Sequence, residues 1–176
     1  IQRDKKLDAR AGLKGHLAEE YHLPITPKIS RLMRTLSYEY EKQFKFKVNH
    51  MSPVNVDEYD FELQGLWINY QNQCEYNPIH DHGGVYSFAA WLKIPYDYYM
   101  QADHYTSIDN TKAHFNGTFC FEYTNIFGQP RTYVYQLDKS YENRLVFFPS
   151  KLRQCVYPYY DCDERRISIS GNVQLR

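Results

Sequence analysis

Two histidines separated by a single residue are the strongest candidates for chemistry in this sequence. His80 and His82 lie in segment 77–84, which reads NPIHDHGG. On an extended backbone, residues two apart project from the same face, so both imidazoles could bind one transition metal. Gly83 and Gly84 leave space above the pair. A surface turn with two solvated histidines is the alternative for this pair on its own.

A metal that activates oxygen needs a third protein ligand, and the sequence limits where it can come from. A mononuclear iron centre usually takes two histidines and a carboxylate on one face of the metal. No histidine follows His114, so the C-terminal strands cannot supply an imidazole. Asp81 is the nearest carboxylate, but strand alternation points it away from the histidine pair.

The segment 166–170, RISIS, is a second candidate for chemistry. Alternation along an extended strand puts Arg166, Ser168 and Ser170 on one face and both isoleucines on the other. A guanidinium binds a carboxylate through two hydrogen bonds, and a hydroxyl adds another donor. This face predicts a carboxylate site if it points into a barrel, and an edge strand with a polar outer face is the alternative.

The first 60 residues differ in pattern from the rest of the chain. Residues 1–20 are predicted to form a loose helix, and the prolines that follow would end it. Thr26 is a good N-cap and Pro27 suits the first helical position. Apolar residues then recur at helical spacing and predict an amphipathic helix of about 18 residues that docks on a sheet. Residues 47–60 are predicted to form a connecting loop.

From residue 61 onward, short runs of β-branched and aromatic residues alternate with turn signals. They predict strands near residues 63–72, 85–94, 118–126, 131–138, 144–148 and 166–175. The segment 127–130, FGQP, is predicted to join two strands of a hairpin, and residues 97–117 to form a long loop. We expect one domain over residues 1–176, with residues 1–60 as helical support and residues 61–176 as an antiparallel jelly-roll core.

Composition excludes some classes of function. The 21 basic and 21 acidic residues balance, which argues against a general nucleic-acid binder. No apolar run approaches the roughly 18 residues of a membrane-spanning helix. The four cysteines contain no CxxC pair and are expected to be free thiols in a reducing cytoplasm. The charged N-terminal segment has no apolar signal-peptide core, which also favours the cytoplasm.

The order of five motifs resembles the iron(II)/2-oxoglutarate-dependent oxygenases, most of all the small oxygenase-like proteins of marine bacteriophages and some bacteria. The motifs span most of residues 15–175, and in chain order they are WxNxQ, NPIHDHGG, YSFAAWLKIPY, FFPSKLRQCVYP and RRISISGN. The resemblance implies a double-stranded β-helix, which is a jelly roll, with helices packed on one side. It also implies hydroxylation of a C–H bond, coupled to oxidative decarboxylation of 2-oxoglutarate to succinate.

The resemblance implies roles for particular residues. His80 would be the first ligand of Fe(II), with His82 beside it, and Arg166 with Ser168 would hold the distal carboxylate of 2-oxoglutarate. In the relatives a second iron-binding histidine lies five residues after the proline of FFPSKL, and this chain has Gln154 there. The metal ligands would therefore be His80, His82 and Gln154, a set with no anionic member.

Two classes of function follow from this departure. One is an active Fe(II)/2-oxoglutarate-dependent oxygenase whose substrate is a protein side chain or a small molecule. The other is a catalytically degenerate jelly roll with a binding, structural or virion-associated role, which Gln154 favours. If the chain is phage-encoded, the expected location is the cytoplasm of the infected bacterium or the virion. Assembly into a homo-oligomer or a virion is open in either case, and no membrane partner is expected.

Overall fold

The computed structural model describes residues 7–45, 47–48, 59–106 and 114–176, which form two antiparallel β-sheets and the helices around them. The strands within these residues are β1 (Glu19–His22), β2 (Phe61–Gln71), β3 (Asn77–His80), β4 (Tyr86–Lys93), β5 (Phe119–Thr124), β6 (Pro130–Tyr135), β7 (Leu145–Pro149), β8 (Arg153–Val156) and β9 (Arg166–Leu175). The helices are α1 (Pro27–Phe44) and α2 (Tyr98–Ala102), with short 3₁₀ turns at Arg10–Gly12 and Lys139–Tyr141.

The chain crosses repeatedly between the two sheets. One sheet has the order β1-β2-β9-β4-β7 and the other has the order β3-β8-β5-β6. Strand β3, for example, lies in the sheet opposite to β2 and β4, and the inner faces of the two sheets enclose one of the two apolar clusters of the protein. This arrangement is the double-stranded β-helix, or jelly roll, and it confirms the predicted fold class.

Helix α1 begins and ends where the sequence predicts. The Thr26 side chain accepts a hydrogen bond from the backbone N–H of Ile29 at 3.4 Å, and Pro27 occupies the first turn. The helix ends at Lys45, which has a left-handed backbone with φ of 51°. Its apolar stripe, centred on the fully buried Met33, packs against the outer face of the five-stranded sheet. No helix in the described ranges is long and apolar enough to cross a bilayer.

The N-terminal segment corrects one prediction. Residues 7–18 hold a short 3₁₀ turn, not a loose helix, and residues 1–6 lie outside the described residues. Residues 19–22 form the edge strand β1, which pairs with β2. The N-terminal part therefore adds a strand to the jelly roll as well as helical support. The single-domain organisation stays a prediction.

The six predicted strands correspond to β2, β4, β5, β6, β7 and β9. The FGQP segment does join β5 to β6 in an antiparallel hairpin. Three short strands, β1, β3 and β8, were not predicted. The predicted loop 97–117 contains the helix α2, and its residues 107–113 lie outside the described residues. Most of the predicted loop 47–60 does so too, since residues 49–58 are not described.

A β-bulge in β2 decides which residues of that strand face the interior. Leu63 pairs with Val173, but Gly65 pairs with Asn172, so Gln64 is an extra residue on β2. One extra residue reverses the alternation of side chains. Before the bulge the odd-numbered Leu63 therefore packs under α1, and after it Trp67, Asn69 and Gln71 face the space between the sheets.

The loop between β3 and β4 lies close to β9 because of one glycine. Gly84 has φ of 81°, and an added Cβ would lie 2.4 Å from the carbonyl oxygen of Val173. The same loop is tied to the turn after β7, since the N–H of His82 donates to the carbonyl of Ser150 at 2.9 Å. The close approach of Gly84 to β9 and the hydrogen bond to Ser150 therefore fix the position of His82.

Replacing Gly84 by alanine is expected to destabilise the protein. The methyl group meets a backbone carbonyl and the φ value is unfavourable for any L-residue, which together cost about 1–3 kcal/mol. Urea or thermal unfolding measures the loss. Gly83→Ala is the matched control, because nothing lies within 4 Å of its added Cβ. Equal stability of the two variants would contradict the role assigned to Gly84.

Candidate functional site

Strands β3 and β8 bring the predicted metal ligands together. His80, at the end of β3, is the cross-strand partner of Gln154 on β8. His82 follows two residues later, and its ring lies 5.0 Å from the His80 ring, centroid to centroid. Gln154 is only 5% exposed. All three side chains line the same cavity between the sheets.

The Gln154 amide lies between the two imidazoles. Its Nε2 atom donates to Nε2 of His80 at 3.2 Å and to Nε2 of His82 at 2.6 Å. The other ring nitrogen of His80, Nδ1, lies 2.7 Å from the carbonyl oxygen of Pro78, which requires the proton on Nδ1. This hydrogen bond leaves Nε2 of His80 with a free lone pair directed at Gln154, as a metal ligand requires.

Both imidazoles are held in the neutral form. Burial lowers the pKa of His80 below its usual value, although the hydrogen bond to the Pro78 carbonyl works in the opposite direction. Burial also lowers the pKa of His82 to about 4, and the neighbouring His80 lowers it further. A metal binds the neutral imidazole, so neither ligand has to lose a proton at neutral pH.

The third donor is the amide and not a carboxylate. Among the residues that the structure describes, no three His, Cys, Asp or Glu side chains are grouped so that they could hold a metal ion. Asp81 also lines the cavity, but its carboxylate is engaged with lysines, 3.2 Å from Lys151 Nζ and 4.0 Å from Lys14 Nζ. The assignment of His80, His82 and Gln154 as metal ligands stays a prediction.

The cavity has a volume of about 280 Å³ and takes much of its polar lining from two paired strands. In the register of β2 and β9, Trp67 lies opposite Ser170, Asn69 opposite Ser168, and Gln71 opposite Arg166. The row of Trp67 lies nearest the histidines, because the Trp67 ring stacks on the His82 ring. The row of Asn69 comes next, and the row of Gln71 and Arg166 lies at the far end of the cavity. Directly opposite residues share one face of a sheet, so all three rows face inward.

Arg166 lies at the far end of the cavity and is 2% exposed. Its Nε and Nη2 donate to Oε1 of Gln71 at 3.0 and 2.5 Å, and its Nη1 donates to the Tyr96 hydroxyl at 2.5 Å. The carbonyls of Gly117 and Tyr157 accept longer bonds of 3.3 and 3.2 Å. Every acceptor is neutral, and no carboxylate of the described residues pairs with this guanidinium.

Ser168 lies two residues from Arg166, and both line the cavity. Its hydroxyl has one contact in the described part of the site, a long hydrogen bond of 3.5 Å from the side-chain amide of Asn69. The structure therefore places the two predicted carboxylate-binding residues on one face, as alternation indicates. Their role towards 2-oxoglutarate stays a prediction.

Several residues of the site were not predicted from the sequence. Gln71 and Tyr96 hold the Arg166 guanidinium, and the pKa of Tyr96 is raised by burial although Arg166 lowers it in part. Asn77 and Glu20 also line the cavity. Gln71 was visible only as the last residue of the WxNxQ motif. Glu20 was missed because the short charged segment EEYH carries no pattern that indicates a strand.

Comparison with solved structures supports the fold. A prolyl-4-hydroxylase of Pseudomonas putida is similar with a TM-score of 0.50 and 13% sequence identity, over 95% of this chain and 80% of that chain. An oxidoreductase of the 2OG-Fe(II) oxygenase family from Burkholderia pseudomallei has a TM-score of 0.48 and 10% identity, over 94% of this chain and 75% of that chain. At such low identity the first likeness shows the fold alone.

The sequence itself matches a family. No curated protein sequence matches this chain. Residues 65–172, which run from the bulge in β2 to β9, match the model of the family described as "Putative 2OG-Fe(II) oxygenase". This stretch contains His80, His82, Gln154, Arg166 and Ser168. Because the match covers more than half of the chain, the protein belongs to the 2OG-Fe(II) oxygenase family.

Proposed function

We propose that this protein is an Fe(II)- and 2-oxoglutarate-dependent oxygenase of the hydroxylase type, with His80, His82 and Gln154 as its metal ligands. The observation that carries the proposal is the convergence of three donor side chains at one end of a cavity that has a buried guanidinium at its other end. When bound, Fe(II) and 2-oxoglutarate supply the oxygen activation that hydroxylates a C–H bond.

The spacing of the donor side chains is compatible with a common metal ion. Metal–nitrogen bonds of about 2.1 Å place neighbouring donors about 3.0 Å apart. The Gln154 amide nitrogen lies 3.2 and 2.6 Å from the two imidazole nitrogens, which brackets this value. The amide is therefore near enough to both imidazoles to share a metal with them.

An unsatisfied oxygen also supports a cation at this place. Oε1 of Gln154 is buried without a hydrogen-bond partner in the described part of the protein. Turning the amide over would direct Oε1 at two imidazole lone pairs, which is favourable only with a cation between them. Gln154 can thus serve as an oxygen ligand, although a neutral amide binds a divalent cation more weakly than a carboxylate does.

Arg166 supports an anionic cosubstrate. A buried cation whose acceptors are all neutral is incompletely compensated, and it attracts an anion into the cavity. A carboxylate could replace the two longest bonds of Arg166, to Gly117 and Tyr157, and accept from Ser168 as well. In this arrangement Arg166 and Ser168 orient the cosubstrate, and the apolar walls exclude water around it.

The second candidate is a jelly roll that binds a carboxylate but has lost catalysis, including a structural role in a virion. One observation favours it: the Gln154 amide N–H groups already donate to a nitrogen of each imidazole, so both histidines have a hydrogen-bond partner without metal. Location in a bacterial host cytoplasm and assembly into oligomers stay predictions under either candidate.

Anaerobic titration with Fe(II) and 2-oxoglutarate tests the first candidate against the second. The unchanged protein is expected to develop the weak visible metal-to-ligand charge-transfer band that requires both groups on one centre. Gln154→Glu is expected to bind Fe(II) about tenfold more tightly, equivalent to about 1.4 kcal/mol, because it adds the missing negative charge.

Gln154→His is the matched variant for this titration, since it restores an imidazole. A band in Gln154→His and none in the unchanged chain would overturn the oxygenase proposal in favour of the second candidate. No band in either protein, although circular dichroism shows both folded, would contradict the assignment of the metal site altogether.

Ser168→Ala is expected to weaken 2-oxoglutarate binding about three- to tenfold, because one hydrogen bond to a carboxylate is lost. Equilibrium dialysis with labelled 2-oxoglutarate measures the change. Ser170→Ala, on the same face but one row nearer the histidines, is the control and is expected to change affinity less than about twofold. A larger effect at Ser170 than at Ser168 would show that the carboxylate is not held beside Arg166.

A further inference from the structure

One carboxyl group in the cavity has no role in the site described above. Glu20, on the edge strand β1, is 6% exposed and lines the cavity. It lies opposite Asn69 on β2, and Asn69 lies opposite Ser168 on β9. The three residues form one row across the sheet, so the Glu20 side chain shares the inward face.

Glu20 has no partner within the described part of the chain. No hydrogen bond or ion pair from the described residues reaches its carboxyl, whereas the adjacent Glu19 pairs with Arg165 at 3.2 Å. A buried carboxyl without a partner is costly when it is ionised. Accordingly, burial raises the pKa of Glu20 to about 7, and the nearby negative charge of Asp8 raises it further.

The position of Glu20 separates it from the metal ligands. It belongs to no group of three potential metal-binding residues in the described ranges. Its row lies between the row of Trp67, which stacks on His82, and the row of Gln71 and Arg166. Glu20 therefore faces the middle of the cavity from the β1 edge, beside the wall that residues 9–17 provide.

Another oxygen acceptor of the cavity lining lacks a donor. Oδ1 of Asn77 is buried without a partner in the described residues. A ligand that satisfies this acceptor must bring an N–H or O–H group. The wall beside Glu20 is aliphatic at Leu13 and Leu17, which suits an alkyl chain that carries such a group, and the ammonium of Lys14 on the same wall lies 4.0 Å from the Asp81 carboxylate.

We propose that the substrate of this site carries an ammonium or guanidinium group on an aliphatic chain, as lysine and arginine side chains do, and that Glu20 binds this cation. The inference rests on the proposed oxygenase function and names its substrate class. The cation would neutralise the buried Glu20 carboxylate. A charged hydrogen bond at a buried site gives selectivity over neutral and anionic molecules of equal length.

The stability of the free protein provides a first test. The pKa of Glu20 is raised in the folded state, so its protonated form is favoured there, and the folded protein loses stability as pH rises from about 4.5 to about 7. Glu20→Gln removes this loss, so its melting temperature is expected to exceed that of the unchanged protein at about pH 8 and to match it near pH 4.5. Glu19→Gln is the control on the same strand. An equal difference at both pH values would show that Glu20 is not an unpaired buried carboxylate.

Binding of small probes tests the proposal directly. Trp67 and Trp91 are the two tryptophans of the chain, and both line the cavity, so their fluorescence reports binding there. The probes are n-butylamine, n-butanol and butyrate, titrated with and without Fe(II) and 2-oxoglutarate under nitrogen. Butylamine is expected to bind at least about tenfold more tightly than the other two. Glu20→Gln should abolish this preference, and Glu19→Gln should retain it within about twofold.

Free L-lysine and Nα-acetyl-lysine N-methylamide then distinguish an amino-acid substrate from a side chain within a polypeptide.

Equal binding of the three butyl probes, or an amine preference that survives Glu20→Gln, would overturn the inference. So would a Glu20→Gln variant that loses Fe(II) binding and keeps amine binding. An amine preference without a charge-transfer band would defeat only the proposed oxygenase function. A band without an amine preference would defeat only the substrate class.

Discussion

The pairing of β2 with β9 is the constraint on which the site depends. The two strands lie next to each other in the five-stranded sheet although about a hundred residues separate them in the chain. Their register sets Gln71 against Arg166 and Asn69 against Ser168, and the bulge near Gly65 turns both rows inward. Without that extra residue, Trp67, Asn69 and Gln71 would face helix α1, and the cavity would lose the polar side chains of Asn69 and Gln71. The polar groups of the site are therefore a consequence of one strand pairing and one inserted residue.

The cavity contains two ionisable groups whose charges the described protein does not neutralise. Arg166 has five hydrogen bonds to neutral acceptors, and Glu20 has none from the described residues. Both residues are almost fully buried, yet no ion pair joins them. Burying charges without a neutralising partner lowers the stability of the folded protein, and proteins tolerate this cost at sites where ligands bind. The opposite signs at two positions favour two ligands, an anion near Arg166 and a cation near Glu20, over a single one.

Much of this arrangement follows from local sequence patterns. Alternation correctly placed His80 with His82 and Arg166 with Ser168, because side chains two apart share a face wherever the backbone is extended. Alternation also predicted that Asp81 points away from the histidine pair, and in the structure its carboxylate pairs with Lys151 and Lys14. The capping residues Thr26 and Pro27 marked the start of α1. These features depend only on neighbours in the chain.

The features that the sequence did not reveal depend on distant partners. Strands β1, β3 and β8 have only four residues each, and they are extended because neighbouring strands pair with them. For this reason Glu20 was placed in a helix and its entry into the cavity was missed. The hydrogen bonds of Gln71 and Tyr96 to Arg166 likewise join residues that lie 95 and 70 positions apart. Such contacts cannot be inferred from composition or periodicity.

As a metal ligand, Gln154 would link the binding of a metal to the binding of an anion. Three neutral donors do not offset the charge of a divalent cation, so the carboxylate of a bound dicarboxylate that Arg166 does not hold would have to supply negative charge. The metal and the dicarboxylate would then bind cooperatively, each strengthening the other by the same factor, as thermodynamic linkage requires. A histidine at position 154 would leave this dependence in place, because imidazole is also neutral, whereas a glutamate would weaken it. The amide therefore suits a site that binds metal firmly only when its cosubstrate is present, and that otherwise keeps the two imidazoles neutral and oriented by hydrogen bonds.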